Sequence, residues 1–165
     1  MGTGKSALGR KLAEHWRMRY IDADAAIEQL EKKTISEIFE QEGEAAFRQK
    51  EKTFLESGHP AHGCVISLGG GAVCQEGVIE LLRQKGVLLC LFASPETILA
   101  RTRHCTHRPL LNVPDPRARI EELLAQREPC YKRAGIGVLT DGRSMAELVQ
   151  HIDRIYRGEL KRFEL

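Results

Sequence analysis

The sequence predicts an α/β domain built on a parallel sheet, and three observations carry that reading. Short apolar runs alternate with segments of helical periodicity along the whole chain. One run, Val87 to Phe92, is apolar without a break, as expected for a strand covered on both faces. Acidic and glycine-rich signals fall at the carboxyl ends of strands, where open parallel sheets bind their ligands.

Each element has its own justification. Lys5 to Arg17 carries Leu8, Leu12 and Trp16 at helical spacing. Arg19 to Asp22 is a short strand ending in Asp22-Ala23-Asp24. Thr34 and Glu37 form a capping box that opens a helix through Phe39, and a second helix runs from about Glu44 to Glu56. Cys64 to Leu68 is a buried-type strand that stops at three consecutive glycines, Gly69 to Gly71. Gly77 to Gln84 is helical, and Gly86 ends it before the strand Val87 to Phe92. Ser94 and Pro95 supply the cap and first residue of the next helix. His104 to Arg117, with Pro109, Pro114 and Pro116, reads as irregular and polar. Ile120 to Lys132 is helical, Ile136 to Thr140 a strand, and Ser144 to Tyr156 the closing helix.

Composition narrows the function. At 165 residues the chain suits one domain, 1–165, and a net charge of +2 is too mild to argue for nucleic acid. No apolar run is long enough to span a bilayer, and no basic segment leads into one, so no membrane contact is expected and the cytoplasm is the expected location. The five cysteines show no C-x-x-C pair, which argues against a disulfide framework or a zinc site. Cys64 and Cys90 lie in apolar runs and read as small core residues.

Gly2-Thr3-Gly4-Lys5-Ser6 matches the end of the phosphate-binding pattern G-x-x-x-x-G-K-[ST]. Glycines let backbone N–H groups curl around phosphate oxygens, and the following helix directs its positive end at them. Lys5 would reach the terminal phosphates and the Ser6 hydroxyl would ligate Mg²⁺, so ATP is the expected phosphate source. Such a loop follows a strand, and the first glycine of the pattern would fall two positions before Met1. The expectation is therefore a start upstream by about ten residues, with a missing first strand in the middle of the sheet. A truncated, binding-only form is the alternative.

These motifs continue with Ile21-Asp22-Ala23-Asp24, Phe47-Arg48, Gly69-Gly70-Gly71-Ala72, Arg108-Pro109-Leu110-Leu111 and Arg127-Glu128-Pro129-Cys130-Tyr131. In that order they resemble the shikimate kinase family over nearly the whole chain. The resemblance implies a nucleoside-monophosphate-kinase-like three-layer fold with five parallel strands, a substrate-binding helical segment over about 24–58 and a lid over about 104–117. It implies transfer of the γ-phosphoryl of ATP to the 3-hydroxyl of shikimate by a monomer, in the route to aromatic amino acids.

The resemblance also distributes roles. Asp22 matches the carboxylate near Mg²⁺, with Ser6. Asp24 matches the group that binds the substrate hydroxyls and accepts the attacking proton. Arg48 and Arg127 match the arginines that grip a carboxylate, with Gly69, Gly70 and Gly71 letting the substrate approach the backbone. Lys5 and Arg108 match cations that act on the transferring phosphoryl group. Gly2, Thr3, Gly4, Lys5, Ser6 and Arg108 would hold the phosphates, and Arg101 and Arg143 would flank the adenine. His104 and His107 match no role. A kinase for another small hydroxy acid, such as gluconate, is the second enzyme reading.

Overall fold

A computed structural model describes residues 2–103 and 113–161. Seven helices and four strands alternate among them: α1 (Lys5–Trp16), β1 (Arg19–Asp22), α2 (Ala23–Glu31), α3 (Ile35–Ser57), β2 (Cys64–Ser67), α4 (Val78–Lys85), β3 (Leu89–Phe92), α5 (Pro95–Thr102), α6 (Pro116–Ala134), β4 (Ile136–Leu139) and α7 (Met145–Leu160). A 3₁₀ turn, Ala72–Cys74, follows the triple glycine.

Local chemistry explains the boundaries. Thr34 accepts from the Glu37 amide while Glu37 reaches back to the Thr34 amide, the capping box the sequence predicts. Ser94 caps α5 with Pro95 in its first turn, and a second capping box joins Ser144 and Glu147 at the head of α7. The two helices expected over 34–56 are both present within α3, separated by a kink at Gly43, whose φ of 84° breaks the helical backbone. One boundary is corrected at α6. Its start at Pro116 precedes the expected Ile120, because Asp115 accepts from the Ala118 amide at 3.0 Å and Pro116 is preset for a first turn.

The strands pair in two separate parallel couples. β1 runs beside β2 with Tyr20 opposite Val65, and β3 beside β4 with Cys90 opposite Gly137. Each couple has its own apolar core. Ile27, Ile38, Phe47, Phe54, Leu55 and Val78 pack against Ile66 and Leu68 on one side. Leu8, Leu12, Val138, Leu148 and Ile152 pack against Leu89 and Leu91 on the other. Helix α1 joins the halves, since it packs on both β2 and α7.

Between β2 and β3 lies a cleft of about 640 Å³, lined by Val65, Ile66, Leu68, Leu89, Leu91 and the α1 side chains Leu8 and Leu12. Leu89, Leu91 and Phe92 are consequently only half-buried, which corrects the expectation that this strand is covered throughout. The facing edges of β2 and β3 carry no ladder partner among the described residues. The cleft thus lies between two strand edges that are unpaired among the described residues.

An extended apolar segment of about five residues, fused ahead of Gly2, is expected to enter this cleft and pair with both edges. Roughly eight ladder bonds at about 1 kcal/mol net each should outweigh the ordering entropy and raise the Tm by around 10 °C in calorimetry. An unchanged Tm, with no new amide protection at Ile66 and Leu91, would show that the cleft does not take a strand.

Candidate active site

The phosphate loop is built as its residues require. Gly2 and Gly4 adopt φ of 67° and 89°, a left-handed backbone open to glycine, and Gly4 caps α1 without a side chain. A Cβ on Gly2 would come within 2.8 Å of the Ile98 side chain, so α5 packs directly on the loop. Thr3 is buried, and Lys5 and Ser6 begin α1, whose first N–H groups point out of the helix. The Ser6 hydroxyl donates to Asp22 Oδ2 at 3.4 Å, and Tyr20 donates to the same oxygen at 3.1 Å. Asp22 caps α2 through its other oxygen, towards the Ala25 amide at 3.5 Å.

Asp24 stands in the first turn of α2, since β1 ends at Asp22. The two aspartates thus face different partners. Asp24 turns to the triple glycine, where a Cβ on Gly69 would lie 3.2 Å from both Asp24 Oδ1 and Glu51 Oε1. A Cβ on Gly70 would stand 2.9 Å from the Tyr131 hydroxyl and 3.0 Å from Arg127 Nη1. One on Gly71 would meet Arg48 Nη2 at 2.6 Å. Close approach of side-chain ends, and not a positive φ, marks all three glycines. Asp24, Arg48 and Arg127 converge on them from three helices.

Two residues at this point were given no role by the sequence. Glu51 is fully buried, and its Oε2 accepts from Arg48 Nη1 at 2.8 Å and from Gln75 Nε2 at 2.6 Å. Its spacing of three from Arg48 on a helix was the available signal. Tyr131, on the turn of α6 after Arg127, donates to the Gly70 carbonyl at 2.8 Å and holds the loop to the helix. Nothing in the sequence alone pairs residues 61 positions apart.

Burial, reinforced by the nearby Asp22 charge, pushes the Asp24 carboxyl above the usual range, while Lys5 and Arg48 oppose the rise. Burial also pushes Glu51 up, against its hydrogen bond from Arg48. Asp24 Oδ1 and Glu51 Oε1 are buried and lack a hydrogen-bond partner. Two acceptors thus point at the glycine loop ready for hydroxyl donors.

The other predicted positions divide. Arg101 donates to Thr140 Oγ1 at 2.9 Å and to the Thr140 carbonyl at 3.3 Å, which sets it beside the turn that carries exposed Arg143. Arg108, with His104 and His107, lies outside the described residues. No group of three or more His, Cys, Asp or Glu side chains that could hold a metal occurs among the described residues. No described helix is long and apolar enough to cross a membrane.

A phosphate cradle at a helix start, with a buried carboxylate a short reach away for the acceptor, is the division of labour of a P-loop kinase for small molecules. The family is equally definite: the sequence model of shikimate kinase matches residues 1–156, and the chain belongs to the shikimate kinase family. It is 40% identical over 160 residues to a shikimate kinase of Halorhodospira halophila, covering 96% of this chain and 90% of that one. A solved shikimate kinase from Acinetobacter baumannii, in complex with shikimate, superposes with a TM-score of 0.87 at 34% identity over 96% of this chain and 89% of that one. A gluconokinase from Sinorhizobium meliloti reaches a TM-score of 0.55 at 17% identity, covering 98% of this chain and 92% of that one, and shares the fold alone.

Glu51 also leaves a signature in stability. Its raised pKa means that the folded chain holds this proton more tightly than the unfolded chain. The resulting stabilisation is full below the ordinary glutamate value and is lost as pH rises through the raised one. The Tm of the native chain relative to Glu51→Gln should therefore fall across that window and level off above it. Parallel Tm curves for the two proteins would refute the shifted titration.

Proposed function

We propose that this chain transfers the γ-phosphoryl group of ATP to the 3-hydroxyl of shikimate, giving shikimate 3-phosphate and ADP. The observation that carries the proposal is the convergence of Asp24, Arg48 and Arg127 on Gly69 to Gly71. Shikimate is a small ring bearing one carboxylate and three hydroxyls. Two half-buried guanidinium groups suit the carboxylate, which a planar fork grips in a bidentate way. The unpaired Asp24 oxygen suits a hydroxyl, and the absence of three Cβ atoms gives the ring its place.

In this reading Gly2, Thr3 and Gly4 hold the ATP phosphates against the head of α1. Lys5, close enough to act on Asp24, lies between the phosphate loop and the acceptor and stabilises charge as the phosphoryl group moves. Asp24 orients the attacking hydroxyl and takes its proton. Because the transition state is loose, orientation matters more than basicity. Arg101 and Arg143 border the nucleotide base, and Arg108 keeps the role given by its motif, within a lid over about 104–117. Segment 24–58 serves as the substrate-binding part of a single 1–165 domain.

The oxygen donors Ser6 and Asp22 lie together at the phosphate loop and fit Mg²⁺, a hard cation that takes one or two protein oxygens beside phosphates and water. When bound with ATP it would neutralise charge on the phosphate oxygens. The chemistry needs one chain and a supply of ATP, so the proposal places a monomer in the cytoplasm.

A panel of small hydroxy acids, followed by ADP release, is expected to give turnover with shikimate and little with gluconate. The reverse order would overturn the assignment. Asp24→Asn should lower kcat by about 10²–10⁴-fold with nucleotide affinity nearly unchanged. Since Asp24 must be ionised to take the proton and its pKa is raised, the acid limb of kcat/KM should lie above the ordinary aspartate range. A limb at or below that range would contradict the role.

A further inference from the structure

One side chain outside the motifs meets the carboxylate assigned to the cation. Tyr20 and Asp22 lie two apart on β1, so strand geometry turns both to the same face, and β1 packs on α1. The Tyr20 hydroxyl donates to Asp22 Oδ2 at 3.1 Å, and the same oxygen receives the Ser6 hydroxyl at 3.4 Å. The other oxygen, Oδ1, accepts from the Ala25 amide at 3.5 Å. The tyrosine ring is itself held on two sides. Gly9 is a buried glycine inside α1, and a Cβ there would stand 2.8 Å from Tyr20 Cε2, so the ring lies against the helix backbone. The Arg10 guanidinium carbon lies over the ring, 4.5 Å from its centroid.

We propose that Tyr20 is a positioning residue for the divalent cation: its hydroxyl fixes Asp22 as the acceptor of the Ser6 proton, which leaves the lone pairs of the Ser6 oxygen free for Mg²⁺. The proposal rests on the reading that Ser6 and Asp22 hold Mg²⁺ beside the nucleotide phosphates.

The reason lies in hydrogen-bond capacity. A serine hydroxyl carries one proton and two lone pairs. It can serve as a cation ligand only when that proton points away from the cation, and an ionised carboxylate is a strong acceptor for it. The terminal torsion of an aspartate is broad, so an Asp22 carboxylate held by Ser6 alone would turn freely. The Ala25 amide on Oδ1 and the Tyr20 hydroxyl on Oδ2 remove that freedom, and Ser6 meets an acceptor at a fixed point. Groups that orient a metal-binding carboxylate in this way are worth about 10–100-fold in metal affinity.

A tyrosine that only packs would leave a different signature. The contacts of the ring with Gly9 and Arg10 involve no hydroxyl. Tyr20→Phe therefore retains the packing of β1 on α1 and removes the single hydrogen bond to Asp22. A packing role predicts no change that depends on the cation, whereas a positioning role predicts a change confined to it.

The test compares the full native chain with Tyr20→Phe by calorimetric titration of ADP, once with excess Mg²⁺ and once in EDTA. Mg²⁺ is expected to tighten ADP binding to the native chain. In Tyr20→Phe the Kd in EDTA should be unchanged, while the Kd with Mg²⁺ should rise by about tenfold, the lower end of the range for such groups. The shikimate KM should stay the same. An equal gain from Mg²⁺ in both proteins overturns the role of the hydroxyl. A loss of the same size in EDTA also overturns it, because the hydroxyl would then serve the phosphate loop and not the cation. If Mg²⁺ leaves ADP binding to the native chain unchanged, the reading of Ser6 and Asp22 as the cation site fails, and the role of Tyr20 falls with it.

Discussion

Crowding at Gly69, Gly70 and Gly71 is the constraint on which the pocket depends. At each position the space of one methyl group is already taken, by Asp24 and Glu51, by Tyr131 and Arg127, and by Arg48 in turn. These groups come from α2, α3 and α6, and the loop is where their ends meet. A side chain on the loop would push back a helix-borne group, so backbone without Cβ atoms is what lets three helices share one site. The Tyr131 hydroxyl on the Gly70 carbonyl ties the loop to α6, and the 3₁₀ turn continues the same contact.

The electrostatics follow from that crowding. Glu51 is fully enclosed, so its charge is tolerable only because Arg48 and Gln75 both donate to it. Glu44 accepts from Arg48 Nε at 3.2 Å and Nη2 at 3.0 Å, so the guanidinium is held by two carboxylates where it meets the loop. One oxygen each of Asp24 and Glu51 remains buried without a donor, at a cost of about 1–3 kcal/mol apiece. A hydroxylated ligand would relieve that cost, which is how a preformed polar pocket spends stability on binding.

The phosphate loop and the end of β1 are coupled, since Lys5 acts on Asp24 and Ser6 donates to Asp22. Helix α1 is therefore both the anchor of the phosphate loop and the element that spans the two sheet halves. The cleft between β2 and β3 is lined by Thr3 and Lys5 together with Leu8 and Leu12 of α1. Packing in that cleft and order in the phosphate loop are consequently one problem.

Much was legible in the sequence because it is encoded locally. Ser94 with Pro95, the Thr34–Glu37 pair and Gly86 mark element ends through hydrogen bonds and backbone preferences spanning a few residues. Apolar runs mark strands in the same local way, and ordered motifs placed Asp24, Arg48 and Arg127 in one family before any coordinates. Boundaries blurred where two local signals compete, as at Gly43 within α3 and Pro116 at the head of α6. What only the tertiary structure decided depends on distance in space between residues far apart in sequence. Glu51 behind Arg48 and Tyr131 on Gly70 became visible only when α3 and α6 were packed around one glycine loop. The sequence by itself determined which groups could bind and transfer phosphate. Packing determined which of them are buried and which are paired, because desolvation and contact exist only in the folded chain.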